Sequence, residues 1–98
     1  MNQAINKPIK IIIAKTKEAS AEAASQLLQK LIVAKPLTIL FAGGNSPKVF
    51  FNSLINYKIN WNGISVIASD ERVVPLRSEN SNTGMIQREL LDRLITMN

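Results

Sequence analysis

Apolar positions along the chain fall into short blocks set apart by polar ones, and the blocks carry two different periods. Pro8 to Ala14, "PIKIIIA", is a β-branched run and predicts a strand with one face largely buried. From Lys17 to Ala34 the period becomes helical, with Ala24, Leu27, Leu28 and Leu31 on one apolar stripe. Thr16 is placed to cap that helix, and Glu18 sits in the first turn, where the helix dipole favours a negative charge. Lys35-Pro36 closes it, because a residue before proline avoids the helical region. Leu37 to Ala42, "LTILFA", predicts a second strand, which runs into Gly43-Gly44-Asn45-Ser46. Asn45 or Ser46 as cap and Pro47 in the first turn open a second helix, with Phe50, Leu54 and Tyr57 on its packed stripe and Phe51 and Ile55 beside it. Asn62-Gly63 marks a turn. Ile64 to Ser69, "ISVIAS", predicts a third strand, ending directly in Asp70-Glu71-Arg72. A polar loop from Pro75 to Asn80 leads to Ser81 or Asn82 as cap of a last helix, which aligns Ile86, Leu90, Leu91 and Leu94.

Strands alternating with helices in the order βα–βα–β–loop–α imply an α/β fold, a Rossmann-like parallel sheet with flanking helices. A length of 98 residues suits a single domain spanning 1–98. The last helix is still in register at Asn98, and three parallel strands would leave two sheet edges uncovered. The expectation is therefore the N-terminal part of a larger domain.

Composition narrows the chemistry. There is no cysteine, which excludes disulfides and thiolate metal sites, and no histidine, which removes the commonest general base and metal ligand. No apolar run is long enough to span a bilayer, and no secretory signal is visible at the N-terminus, so the expected location is the cytoplasm. The net charge of +5 is distributed unevenly. Residues 1–60 carry eight lysines against Glu18 and Glu22, whereas the four arginines beyond them face five carboxylates. The lysines stand singly with no aromatic residues interleaved, a pattern that speaks against nucleic acid and for acidic metabolites or a merely solvated surface.

Two polar clusters follow the second and third strands, where open parallel sheets bind ligands. In the first, Gly43 and Gly44 permit a sharp turn and close approach, the helix beyond offers free N–H groups, Ser46 a hydroxyl and Lys48 a nearby cation. The loop is neither a P-loop nor a dinucleotide fingerprint, which argues against ATP and NAD. Alone, it fits a plain strand–helix turn equally well. In the second, Asp70-Glu71-Arg72 suits a site acid beside an arginine for phosphate or carboxylate, or else a solvated loop with Asp70 capping a turn. If the strands are parallel, both clusters line one crevice.

The segments "ILFAGGNSPKVFFNSL", "INWNGISVIASDERVVP" and "ENSNTGMIQRELL" together resemble the 6-phosphogluconolactonase family, within the wider glucosamine/galactosamine-6-phosphate isomerase superfamily. Gly43, Gly44, Ser46 and Pro47 match its glycine-loop motif. Trp61 matches next, then Asp70, Glu71, Arg72, Val74 and Pro75 match its Asp-Glu-Arg motif, and Ser81-Asn82 its helix-opening pair. Ala42, Asn45 and Val73 depart from the usual residues, and the family's later Asp-Gly-His, whose histidine is taken as general base, is not in this sequence. The resemblance implies metal- and cofactor-free hydrolysis of 6-phospho-D-glucono-1,5-lactone to 6-phosphogluconate, in the oxidative pentose phosphate pathway. It assigns Gly43, Gly44, Asn45 and Ser46 to the 6-phosphate or sugar, and Arg72 to substrate charge or the developing oxyanion. Asp70 would orient sugar hydroxyls or a histidine from a missing C-terminal half. The expected partner is a small sugar phosphate, with no nucleic acid and no membrane. Two other readings stay open: a glucosamine-6-phosphate deaminase relative, and a sugar-phosphate-binding remnant without catalysis.

Overall fold

The computed structural model describes residues 9–33 and 36–97. Its elements are α1 (Lys17–Leu31), β1 (Leu37–Phe41), α2 (Ser46–Leu54) and β2 (Ile64–Ala68). A last helix follows as three consecutive segments: α3 (Asn82–Ile86), a π-helical turn (Gln87–Leu91) and α4 (Asp92–Met97). Strands β1 and β2 pair in parallel, in register from Leu37 opposite Ile64 to Phe41 opposite Ala68. Connecting them through α2 makes the βαβ unit that the alternating pattern implied.

Alternation along the strands sorts the two faces of this small sheet. Ile39, Phe41, Val66 and Ala68 point to the helices and join a core of Phe51, Leu54, Met85, Ile86 and Leu90. Phe51, Leu54 and Leu90 are fully buried. The Phe41 and Phe51 rings meet edge to face, with centroids 5.1 Å apart, a favoured aromatic geometry. Thr38, Leu40, Ser65 and Ile67 point the other way and are exposed, Leu40 by 62% and Ile67 by 51%. The described helices thus cover one face of the sheet, α1 stacking on α2.

Four expectations are corrected. Ile9 to Ala14 forms no strand among the described residues, and Pro8 lies outside them. The segment borders α1 instead, sharing a groove of Lys10, Ile12 and Ala14 with Ser20, Ala23, Ala24 and Leu27, and Ile13 is 90% exposed. A β-branched run becomes a strand only when an edge hydrogen-bonds to it, so composition alone did not suffice. The described sheet therefore has two strands rather than three.

Helix α1 ends at Leu31, not Ala34, with Ile32 already extended; Ala34 and Lys35 lie outside the described residues. Its buried stripe is also displaced. Ala21 and Ser25 are buried and Leu28 packs on the core, while Leu27 and Leu31 are about half exposed. Small residues let α1 approach α2 closely, and a polar seam holds the contact. Ser25 donates to Ser53 at 2.9 Å, and Ser53 donates to Glu22 at 3.1 Å. Glu22 also accepts from the Tyr57 hydroxyl, which raises the Tyr57 pKa above its ordinary value.

The fourth correction concerns α2. Asn45 occupies its cap position, yet its side chain makes no capping hydrogen bond, so Pro47 in the first turn is the surviving start signal. The last helix behaves as expected: Thr16-like capping recurs at Ser81, whose hydroxyl accepts from Gly84 N–H, and Ile86, Leu90, Leu91 and Leu94 face the core.

Replacing Leu90 by alanine removes the centre of this packing and is expected to cost about 2–5 kcal/mol of unfolding free energy. Ile13→Ser, at an exposed position, should change it by less than about 0.5 kcal/mol. Urea denaturation of the two variants checks the placement of the core, and equal effects would refute it.

Candidate functional site

Parallel pairing in register brings Phe41 and Ala68 level, so the residues after them leave the sheet at the same end. The Ser69 N–H still bonds the Phe41 carbonyl at 2.8 Å, which holds the two departing strands together. The chain after β1 must then reverse into α2. Gly44 does this with φ +87°, a conformation that L side chains rarely adopt. Gly43 answers a different need: a Cβ there would collide with the Asn82 carboxamide, which lies directly over it.

Asn82 links the two clusters. Its Nδ2 donates to the Asp70 side chain at 2.8 Å and to the Asp70 carbonyl at 3.2 Å. Glu71 does more. Its carboxylate accepts from the backbone N–H of Arg72 at 2.8 Å, Asn82 at 2.7 Å and Thr83 at 2.8 Å, and from the Ser81 hydroxyl at 2.8 Å. It thereby occupies the start of α3, where unpaired N–H groups favour a negative charge. Hydrogen bonding from Thr83, side chain and backbone, and then from Arg72 and Ser81, holds the Glu71 carboxyl far below the ordinary carboxylate range.

Between the glycine loop and the last helix lies a cavity of about 300 Å³, a size suited to a small metabolite. Gly44, Asn45 and Lys48 form the α2 side, Arg72 and Glu79 the loop side, and Ser81, Asn82, Met85 and Arg88 the wall from the last helix. Of the residues singled out from sequence, Gly44, Asn45 and Arg72 therefore meet in one cavity. Gly43 lies under Asn82, and Asp70 is tied to Asn82 just outside the lining. Ser46 instead lines a groove between α1 and α2, with Lys17, Ser20 and Phe50 among its neighbours.

Sequence reading missed Arg88 and the clamp made by Glu71. Arg88 belongs to the polar side of a helix and carries no local signal; only folding brings it to the cavity. Glu71 had one usable signal, a carboxylate beside a Ser-Asn helix start, but the eleven-residue separation from Asn82 hid it. Among the described residues no cluster of acidic side chains could hold a metal ion, and no helix is long and apolar enough to cross a membrane.

Comparison with known proteins places the chain in a family. The family model for glucosamine-6-phosphate isomerases/6-phosphogluconolactonase matches residues 12–98. A 6-phosphogluconolactonase of Neisseria meningitidis is 34% identical over 79 residues, covering 80% of this chain and 34% of the relative. One from Thermotoga maritima is 37% identical over 67 residues, covering 67% of this chain and 30% of the relative. The chain thus spans about a third of the length of the curated relatives it matches. A solved 6-phosphogluconolactonase structure from Thermotoga maritima superposes with a TM-score of 0.66 at 34% identity, over 79% of this chain and 36% of that one. A structure from Neisseria gonorrhoeae at 24% identity shares the fold, with a TM-score of 0.73 over 85% of this chain and 38% of that one. With nearly its whole length matched, this chain belongs to the family of glucosamine-6-phosphate isomerases and 6-phosphogluconolactonases.

Proposed function

We propose that the chain forms the sugar-phosphate-holding part of a 6-phosphogluconolactonase, acting on 6-phospho-D-glucono-1,5-lactone in the cytoplasm. One observation carries this: the parallel β1–β2 pair brings Gly44 and Asn45 of the glycine loop and Arg72 of the second cluster into one cavity that Lys48 and Arg88 also line. The turn at Gly44 and Asn45 holds the phosphate or the sugar. Arg72 pairs with substrate charge or with the oxyanion that forms when water adds to the lactone carbonyl. Asp70, kept in place by Asn82, orients sugar hydroxyls or a base brought from elsewhere. Gly43 and Ser46 contribute from behind the cavity wall, the first by admitting Asn82 and the second by starting α2.

Hydrolysis of the ester also needs a group that takes a proton from water. The chain has no histidine, and the matched part is only about a third of its relatives' length. The 98 residues are a part of the family's domain in this reading, and they bind without efficient turnover. A deaminase of the same superfamily is the second reading. The arginine after Asp70-Glu71 and the names of the matched relatives favour the lactonase.

Three outcomes are expected. The full chain should bind 6-phosphogluconate in a calorimetric or NMR titration, and Arg72→Gln should weaken that binding roughly tenfold or more, the value of a hydrogen bond to a charged group. Absence of binding, or ammonia release from glucosamine-6-phosphate, would overturn the assignment. Lactone hydrolysis should stay near the spontaneous rate; fast turnover abolished by Asp70→Asn would instead make Asp70 the base.

The Glu71 clamp predicts a pH response. At pH 4.5 an ordinary glutamate is half-protonated, whereas Glu71 should remain ionised when its side-chain carbon is followed by NMR. Its folded pKa is depressed, so its contribution to stability is fully present above the unfolded value. That contribution is lost as pH falls below the unfolded value and on through the folded one. Glu71→Gln should therefore flatten the acid side of the stability profile, and an unchanged profile would count against the clamp.

A further inference from the structure

We infer that Arg88 is the specificity-determining contact for the phosphate group, acting with Lys48 across the cavity. This rests on the sugar-phosphate reading above. Of the two helix starts at this end of the sheet, the one at Ser81-Asn82 is already taken, which leaves the turn before α2 and the side chains facing it. Glu71 accepts from the N–H groups of Asn82 and Thr83, and the Ser81 hydroxyl accepts from Gly84 N–H. A phosphate brought there would meet a carboxylate held in its ionised form. Full positive charge for the ligand comes from side chains. The lining carries Lys48, Arg72 and Arg88 against Glu79, while Asp70 and Glu71 just behind it are engaged by Asn82, Ser81 and backbone N–H groups, so the cations are the groups left to meet a phosphate monoester.

Arg88 is aimed by its neighbours. Gly84, one turn earlier, has no positive φ and so no backbone reason to be glycine in a helix. Its bare Cα serves two approaches. The Leu76 carbonyl packs against it, and an added Cβ would lie 3.0 Å from Arg88 Nη1. The guanidinium therefore lies back along the helix beside Gly84, and Arg88 stands between the cavity walled by Ser81, Asn82 and Met85 and a second one lined by Leu76, Arg77, Gly84 and Gln87. Arg88 also lies in the π-helical turn, a local widening that often accompanies a functional site. A planar guanidinium matches two phosphate oxygens at once, whereas a lysine presents a point charge.

The test titrates the full chain, and its Arg88→Gln and Arg88→Lys variants, with 6-phosphogluconate, inorganic phosphate and gluconate. Far-UV circular dichroism verifies that the exposed substitutions leave the fold intact. Wild type should bind 6-phosphogluconate at least tenfold tighter than gluconate. Arg88→Gln should weaken 6-phosphogluconate and inorganic phosphate roughly tenfold and leave gluconate unchanged, with Arg88→Lys in between. If Arg88→Gln binds like wild type while Arg72→Gln is impaired, the Arg88 assignment falls and the sugar-phosphate reading stands. Equal loss for gluconate and 6-phosphogluconate would move Arg88 to the sugar-acid end, which also overturns it. No binding of 6-phosphogluconate by wild type removes both.

Discussion

The carboxylate of Glu71 fastens the loop that leaves β2 to the start of the last helix. The loop leaving β2 is polar and exposed, and α3 is too short to be stable on its own account. Four hydrogen bonds to one carboxylate tie the two ends of that loop to each other. Everything downstream then follows in order. The fixed start of α3 places Asn82 over Gly43 and against Asp70, and so joins the second polar cluster to the first. The last helix, anchored at its start, sends Met85, Ile86 and Leu90 into the core and turns Arg88 to the cavity.

The same carboxylate sets the electrostatics. A helix start is a ready anion site, and the protein fills this one with its own anion. In the proposed reading, a phosphate in the cavity forgoes the backbone donors at this helix start and meets Lys48, Arg72 and Arg88 instead. Backbone donors hold an anion without strong regard for its charge. Side-chain cations discriminate by charge and shape, the property that the proposed sugar-phosphate ligand would call on.

The fold was legible from sequence where a signal was local. Pro47, Gly63, Ser81 and the short apolar runs "LTILF" and "ISVIA" each act within a few residues, and β1, α2, β2 and the last helix lie where they indicate. The failures share a different origin. Whether Ile9–Ala14 becomes a strand is decided by a partner edge, and which stripe of α1 is buried is decided by the surface of α2. In the same way the glycine loop and Asp70-Glu71-Arg72 were visible, because each is contiguous. Glu71's clamp and Arg88's aim exist only across eleven residues of loop or through the space left by Gly84.

The two glycines of the opening loop now have separate physical grounds. Gly44 is required by its own backbone, and the residue beside it by a neighbour from another element. This makes Gly43 and Asn82 a coupled pair. A side chain at Gly43 would expel the Asn82 carboxamide, release Asp70 from its 2.8 Å contact and loosen the wall that Arg88 shares with Asn82. Shortening Asn82 to alanine would make room at Gly43 but would not restore the hold on Asp70. Glycine at this position is thus a requirement of the site, transmitted by one amide, rather than of the turn that contains it.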